Sequence, residues 1–145
     1  MINVRVVNAH RRYRLAKKPF ALSVKKVLKK EGIRKAMVSI IFIDSMVCRK
    51  MNKKHLHHDY GTDVLSFDYE QPGTLEGEVY VNLDQAGVQA KNYNASFTEE
   101  VRRLVIHGTL HLAGSDDRTS LERKHMRKKE DEYLGVHSMK KGKRG

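Results

Sequence analysis

The stretch Val101-Arg-Arg-Leu-Val-Ile-His107-Gly-Thr-Leu-His111-Leu-Ala-Gly-Ser-Asp-Asp117 organises the chain. Val101, Val105, Gly108 and Leu112 recur at helical spacing and define one apolar face, with Leu104 beside it. His107 and His111 are four residues apart, so they project together from one edge of that face, at the border between core and cleft. Gly108 falls on the buried face and permits close approach of a neighbour. Ile106 and Leu110 point elsewhere, which predicts a helix covered on more than one side. Ser96 with Glu99 has the spacing of a capping box and starts the helix. Gly114 lets the chain leave it, and Asp116 and Asp117 follow at once.

A His-x3-His pair alone is a modest signal, because many helices carry one by chance. Here the pair lies at the edge of an apolar helix, a glycine exit follows, and a carboxylate comes directly behind. Zn²⁺ accepts two imidazoles and one carboxylate, with water in the fourth position. An ion so held lowers the pKa of its water from roughly 15.7 towards about 7 and can deliver hydroxide to a phosphorus or carbonyl centre. The peptidase motif His-Glu-x-x-His places its general base after the first histidine. Gly108 occupies that position, which argues strongly against a zinc peptidase of that type. Two histidines and a carboxylate also suit a non-haem iron oxygenase, but nothing else in the sequence supports oxygen chemistry.

Upstream, Gly77-Glu-Val-Tyr-Val-Asn82 and Thr62-Asp-Val-Leu-Ser-Phe-Asp-Tyr69 read as two strands around the turn at Gln71-Pro-Gly73, an antiparallel pair. Asn82 with Gln85 caps a helix running to about Tyr93. Ala36-Met-Val-Ser-Ile-Ile-Phe-Ile43 is the most hydrophobic run, rich in β-branched residues, and predicts a buried strand. Asp44 or Ser45 caps a helix from there to about Lys53. Asn52 to Gly61 is polar and irregular and holds His55, His57 and His58. Beside Lys53 and Lys54 it reads as a phosphate-facing surface or simply as a polar loop. Ile2 to Val7 alternates as a first strand. Phe20, Val24, Val27 and Leu28 form one stripe of a helix from about Pro19 to Glu31, with Lys25, Lys26, Lys29 and Lys30 on the solvated side. A last, densely charged helix runs from about Thr119 or Ser120 to Leu134, and its few apolar residues predict peripheral docking. Strands and helices interleaved in this way predict an α/β or α+β domain. One domain covers residues 1–138, and the basic residues 139–145 form a disordered tail.

The chain of 145 residues is the length of one domain, and 29 Lys+Arg against 17 Asp+Glu give a net charge of +12. So large an excess points to a polyanionic partner, most often nucleic acid. An acidic lipid surface would also attract it, but no long basic amphipathic helix with bulky apolar anchors is present. The one cysteine, Cys48, excludes an intramolecular disulfide and suits a reducing compartment; among Met46, Val47 and Met51 its role is packing. No window approaches the roughly 20 apolar residues of a membrane span, and the N-terminus has no apolar run of a signal peptide. These features predict a cytoplasmic protein with no membrane partner.

His107-Gly-Thr-Leu-His111-Leu-x-Gly-x-Asp-Asp117 resembles the signature of the YbeY family, bacterial rRNA maturation factors and endoribonucleases, whose pattern is His-Gly-x-Leu-His-Leu-x-Gly-Tyr-Asp-His. Asn52, Asp59 and Thr62-Asp-Val-Leu-Ser-Phe67 are similar to the family's Asn…Asp-x-x-Thr-[Asn/Asp]-Val-Leu-Ser-Phe segment, and Gly77-Glu-Val-Tyr-Val to its Gly-Asp-Ile-x-Ile strand. The resemblance implies an α/β (α+β) fold, a small mixed sheet of about four strands surrounded by about five helices, with the metal site on a helix. It implies one divalent ion, Zn²⁺, held by His107, His111 and Asp117. It also implies single-strand-specific RNA cleavage at the 3′ end of 16S rRNA, a part in ribosome quality control, and ribosomal particles as partners.

This chain departs from the pattern at the third ligand and at an arginine. Asp117 stands where the family has histidine, and Ser115 where it has tyrosine. Asp116 matches the family's aspartate and is either an outer support for the ion or a turn cap. The family's RNA-contacting arginine falls at Leu56, so Lys53, Lys54, His57, His58 and Arg118 are the candidates for phosphate contact. Two other readings stay open: an RNA- or ribosome-binding assembly factor whose metal is structural, and a metal hydrolase of another substrate.

Overall fold

The structure is a computed structural model that describes residues 1–56 and 62–135. Its elements are β1 (Ile2–Asn8), α1 (Lys18–Lys30), β2 (Ala36–Ile43), α2 (Ser45–Leu56), β3 (Val64–Asp68), β4 (Leu75–Asn82), α3 (Leu83–Asn92), α4 (Phe97–Leu112) and α5 (Ser120–Leu134). The four strands form one mixed sheet in the order β1-β2-β4-β3. β1, β2 and β4 are parallel, and β3 turns back antiparallel to β4 as the edge strand nearest the histidine helix. This is the α+β fold expected from the pattern of elements. The expected tail, 139–145, lies outside the described residues.

The apolar run of β2 lies between β1 and β4 and buries one face fully, while Met37 on the other face is exposed. Val38, Ile40 and Phe42 point into the main core with Phe20, Val24 and Leu28 of α1 and Val101, Leu104 and Val105 of α4. On the opposite face, α2 covers part of the sheet: Cys48 is fully buried and packs with Ile43 and Leu65, alongside Met51, Phe67 and Tyr80. Met46 and Val47 are exposed, so the packing of Cys48 is with the sheet rather than with its immediate neighbours.

Two expectations are corrected. The polar stretch after Lys53 begins as helix: α2 continues to Leu56, with Asp44 Oδ1 accepting from the Val47 N–H at its start. His55 therefore sits on a helix, its ring edge-on to Phe67 at 5.4 Å. His57, His58 and Asp59 lie outside the described residues. α5, expected to dock peripherally, is integral. Met126, Tyr133 and Leu134 pack with Ile106 and Leu110, the residues of α4 that face away from the sheet. Glu130 and Asp131 are also buried there, because a cation on α4 meets them.

α4 approaches the sheet closely at Gly108. A Cβ there would stand 2.4 Å from Val79 Cγ1 and 3.0 Å from Ser66 Oγ. Ser66 Oγ fills the space by donating to the Gly108 carbonyl at 3.0 Å. The helix thus lies flat on β3 and β4, and its next turn presents His107 and His111 at the sheet's edge.

Candidate metal centre

α4 starts where Ser96 Oγ accepts from the Glu99 N–H at 3.0 Å, and it ends in a glycine-closed turn. Ser115 N donates to Leu110 O at 2.9 Å and Gly114 N to His111 O at 3.1 Å, with Gly114 at φ +107°. This paired closure satisfies the helix's last carbonyls and reverses the chain. Only a residue without Cβ takes that φ cheaply. The reversal carries Asp117 back over the helix end. On the far side, α5 begins with a complete capping box between Thr119 and Glu122. Arg123 Nη1 donates to the carbonyls of Asp117 and Arg118 at 3.4 and 2.9 Å. Both ends of the short Asp117 loop are therefore fixed.

The result is a small triangle of ligand atoms. His107 Nε2 and His111 Nε2 are 3.1 Å apart. Asp117 Oδ2 is 3.3 Å from each. Among the described residues these three side chains form the cluster that could hold a metal ion. Tetrahedral corners around an ion at roughly 2.0–2.1 Å stand about 3.3 Å apart. The donor chemistry, two imidazoles and one carboxylate, fits the same ion. Asp116 is exposed and is not part of the cluster.

The triangle is held from behind. His107 Nδ1 lies 2.6 Å from Glu130 Oε2. A carboxylate only accepts, so Nδ1 carries a proton, and in the neutral ring Nε2 then presents its lone pair to the triangle. Glu130 is fixed in turn: Arg103 Nη1 donates to its Oε1 at 3.0 Å, and Arg103 Nη2 donates to Asp131 Oδ1 at 2.7 Å. Arg103, Glu130 and Asp131 are 4%, 7% and 5% exposed, so the pairing is nearly dry. Burial opposes a charged imidazole at His107. The hydrogen bond and charge of Glu130, with Asp117 and Asp63 further off, outweigh it and hold the His107 pKa above its ordinary value. α5 is also tied to α1, where Glu31 accepts from Lys129 Nζ at 2.9 Å and from the Tyr133 hydroxyl at 2.7 Å.

The triangle lies in a cleft with two halves that share Asp63, His107 and Asp117. One half, about 430 Å³, runs along β3 from Thr62 to Ser66 and Asp68 and includes His111. The other, about 220 Å³, opens between α4 and α5 and is lined by Tyr93, Arg123 and Arg127 among others. Lys53 and Lys54 are exposed on the last turn of α2 and line neither half. Arg118 is exposed, and its backbone N–H, rather than its side chain, is engaged, with Glu122. Besides Arg103 of α4, the cleft's own cations are Arg123 and Arg127 of α5, which reading the sequence alone did not reveal. One signal was present: Arg103 is a charge within an apolar helix, four residues before His107, and a buried charge needs a partner.

The chain matches the family model described as Endoribonuclease YbeY over residues 5–137. It is similar to the proteins named Endoribonuclease YbeY of Chlorobium phaeovibrioides, with 40% identity over 79% of this chain and 77% of the relative, and of Salinibacter ruber, with 39% identity over 78% of each. The Christiangramia forsetii protein of the same name is 35% identical over 78% of this chain and 79% of its own. The solution structure of TM1509 from Thermotoga maritima superposes with a TM-score of 0.65 at 28% identity, covering 90% of this chain and 86% of that one. The helix-borne histidine pair, the returning aspartate and the family match over nearly the whole chain agree: this protein belongs to the YbeY family.

Proposed function

We propose that this protein is a metal-dependent, single-strand-specific endoribonuclease of rRNA maturation, acting at the 3′ end of 16S rRNA and in ribosome quality control, with Zn²⁺ as its ion. The observation that carries the reading is the triangle of His107, His111 and Asp117 in a chain whose relatives are named endoribonucleases. These three residues are proposed to hold the ion. A divalent ion held there would supply Lewis acidity for hydrolysis of a phosphodiester. A closed structural site needs a fourth protein ligand, and among the described residues the cluster has three.

The chain's own groups prepare the site. Glu130 keeps the proton of His107 on Nδ1, away from the ligand triangle. Arg123 holds the Asp117 loop by its carbonyls. With Leu56 in the place of the family's arginine, phosphate contact passes to Arg123 and Arg127, which line the cleft. Lys53, Lys54 and Arg118 are left to the outer surface, where a net charge of +12 draws RNA inwards. Asp117 in place of histidine adds a negative charge at the ion, so the bound water is less acidic and harder metals compete better. Residues 1–138 are read as the functional domain and 139–145 as a basic tail available to ribosomal RNA. No described helix is long and apolar enough to cross a membrane, consistent with work in the cytoplasm on ribosomal particles.

The reading is tested by His111→Ala and Asp117→Ala, assayed on a single-stranded rRNA fragment with the metal content of each variant measured. Both variants should lose the ion and cleavage together. Full cleavage by variants that carry no metal would refute it.

A further inference from the structure

The two halves of the cleft differ in chemistry. Among the described residues no lysine or arginine lines the β3 half, which adds Asp68 and the hydroxyls of Thr62 and Ser66 to the Asp63, His107 and Asp117 that both halves share. The α5 half sets Tyr93 with Arg123 and Arg127 beside the apolar groups of Leu104 and Met126. An aromatic side chain, apolar groups and planar cations in one small concavity suit a nucleobase and its phosphate. Base–aromatic stacking tolerates any sequence, and guanidinium both stacks on bases and matches phosphate oxygens.

We infer that the α5 half of the cleft is a subsite for one unstacked nucleotide flanking the scissile bond, its base against Tyr93 and its phosphate against Arg123 and Arg127. The inference rests on the endoribonuclease reading and gives it a physical basis for single-strand preference. The concavity, about 220 Å³, is smaller than the roughly 300–1,000 Å³ of ordinary ligand pockets. It takes one base and not a base pair, so a paired nucleotide must first leave its partner, at a cost of a few kcal/mol. It shares His107 and Asp117 with the triangle, so its occupant is the neighbour of whatever phosphate sits at the ion. Asp63, Asp117 and Glu130 also line it, and Glu130 is turned to Arg103 and His107, which offset its charge in part. Arg123 is already fixed by its bonds to Asp117 O, Arg118 O and Ser120 Oγ. Little side-chain freedom is lost there on binding, and occupancy of the subsite bears directly on the loop that carries Asp117.

The test uses the full-length, zinc-loaded protein and a labelled single-stranded RNA oligonucleotide, intact or with one abasic ribose immediately 5′ or 3′ of the cleaved bond. Binding is read by anisotropy and cleavage under single-turnover conditions. The wild type should lose roughly tenfold in affinity with the abasic ribose on one side only, the size of one base–aromatic stack. Tyr93→Ala should show the same loss on intact RNA and no further loss on that abasic RNA, with its zinc content unchanged. Tyr93→Phe should bind as the wild type does. Wild-type affinity that is indifferent to either abasic ribose overturns the subsite without recourse to any variant. So do losses from Tyr93→Ala and the abasic ribose that multiply. RNA neither bound nor cleaved by the zinc-loaded wild type overturns the endoribonuclease reading, and the subsite with it.

Discussion

His107 Nδ1 donates to Glu130 Oε2 across 2.6 Å, joining the histidine helix to the last helix behind the candidate metal. The bond fixes which nitrogen of His107 faces the cleft and raises its basicity. Glu130→Gln keeps an acceptor for Nδ1–H but removes the charge. Metal affinity, measured by competition with a chromophoric chelator, should fall about 10–100-fold. Unchanged affinity would mean that Glu130 is only a structural partner of Arg103.

Arg103 is ion-paired with two buried carboxylates, those of Glu130 and Asp131. Replacing it with methionine leaves both without their cation. Breaking such a pair on one side costs about 3–5 kcal/mol. Arg103→Met should therefore lower stability to chemical denaturation by that amount. Adding Glu130→Gln and Asp131→Asn to the same chain should recover part of the loss, since the stranded charges are then gone.

Gly108 has no room for a side chain. A Cβ would stand 2.4 Å from Val79 Cγ1 and 3.2 Å from Val64 Cγ2. Gly108→Ala should push α4 off the sheet at a cost of about 1–3 kcal/mol, less whatever helix propensity alanine restores. Because His107 and His111 flank this position, metal affinity should fall with the melting temperature. A stabilised variant with normal affinity would contradict the packing described.

The raised pKa of His107 gives the metal-free protein a particular pH dependence. Below the unfolded imidazole value, about 6.5, both states carry the proton and the stabilisation by Glu130 is fully present. As pH rises through the higher folded value, the proton leaves and that contribution is lost. The melting temperature of chelated protein should thus fall as pH rises above about 6.5, and His107→Phe should flatten this slope. The metal-loaded protein should behave oppositely, because the ion needs the neutral ring, so acid releases it. Parallel pH–melting curves for the two forms would contradict this coupling.

Much of the fold was legible because local signals agreed with one another. The hydrophobicity and β-branched residues of Ala36–Ile43 gave β2 at its observed ends, and the stripe of Phe20, Val24, Val27 and Leu28 gave the buried face of α1. Gly108 and Gly114 stood out at positions where packing and a positive φ require them. His107, His111 and Asp117 could be brought together on paper because helix spacing fixes the first two and the glycine exit returns the third. Glu130 and Asp131 could not. Their pairing with Arg103 spans 27 and 28 residues, and on α5 they are indistinguishable by sequence from solvated charges such as Glu132. Tyr93 and Arg123 escaped notice for the same reason, since the concavity they share exists only once α3, α4 and α5 are packed. α2 was read too short because Lys53, Lys54 and His55 look like loop residues. They are favourable in the last turn of a helix, where cations meet the exposed carbonyls.

The most direct measurement is cleavage of a single-stranded rRNA fragment by protein stripped with a chelator and then returned to one equivalent of zinc. The expected result is no cleavage from the stripped protein, full recovery on adding the ion, and no recovery in His111→Ala. Cleavage by stripped protein at the rate of the loaded form, or equal recovery in His111→Ala, would contradict the metal-dependent endoribonuclease proposed for this chain.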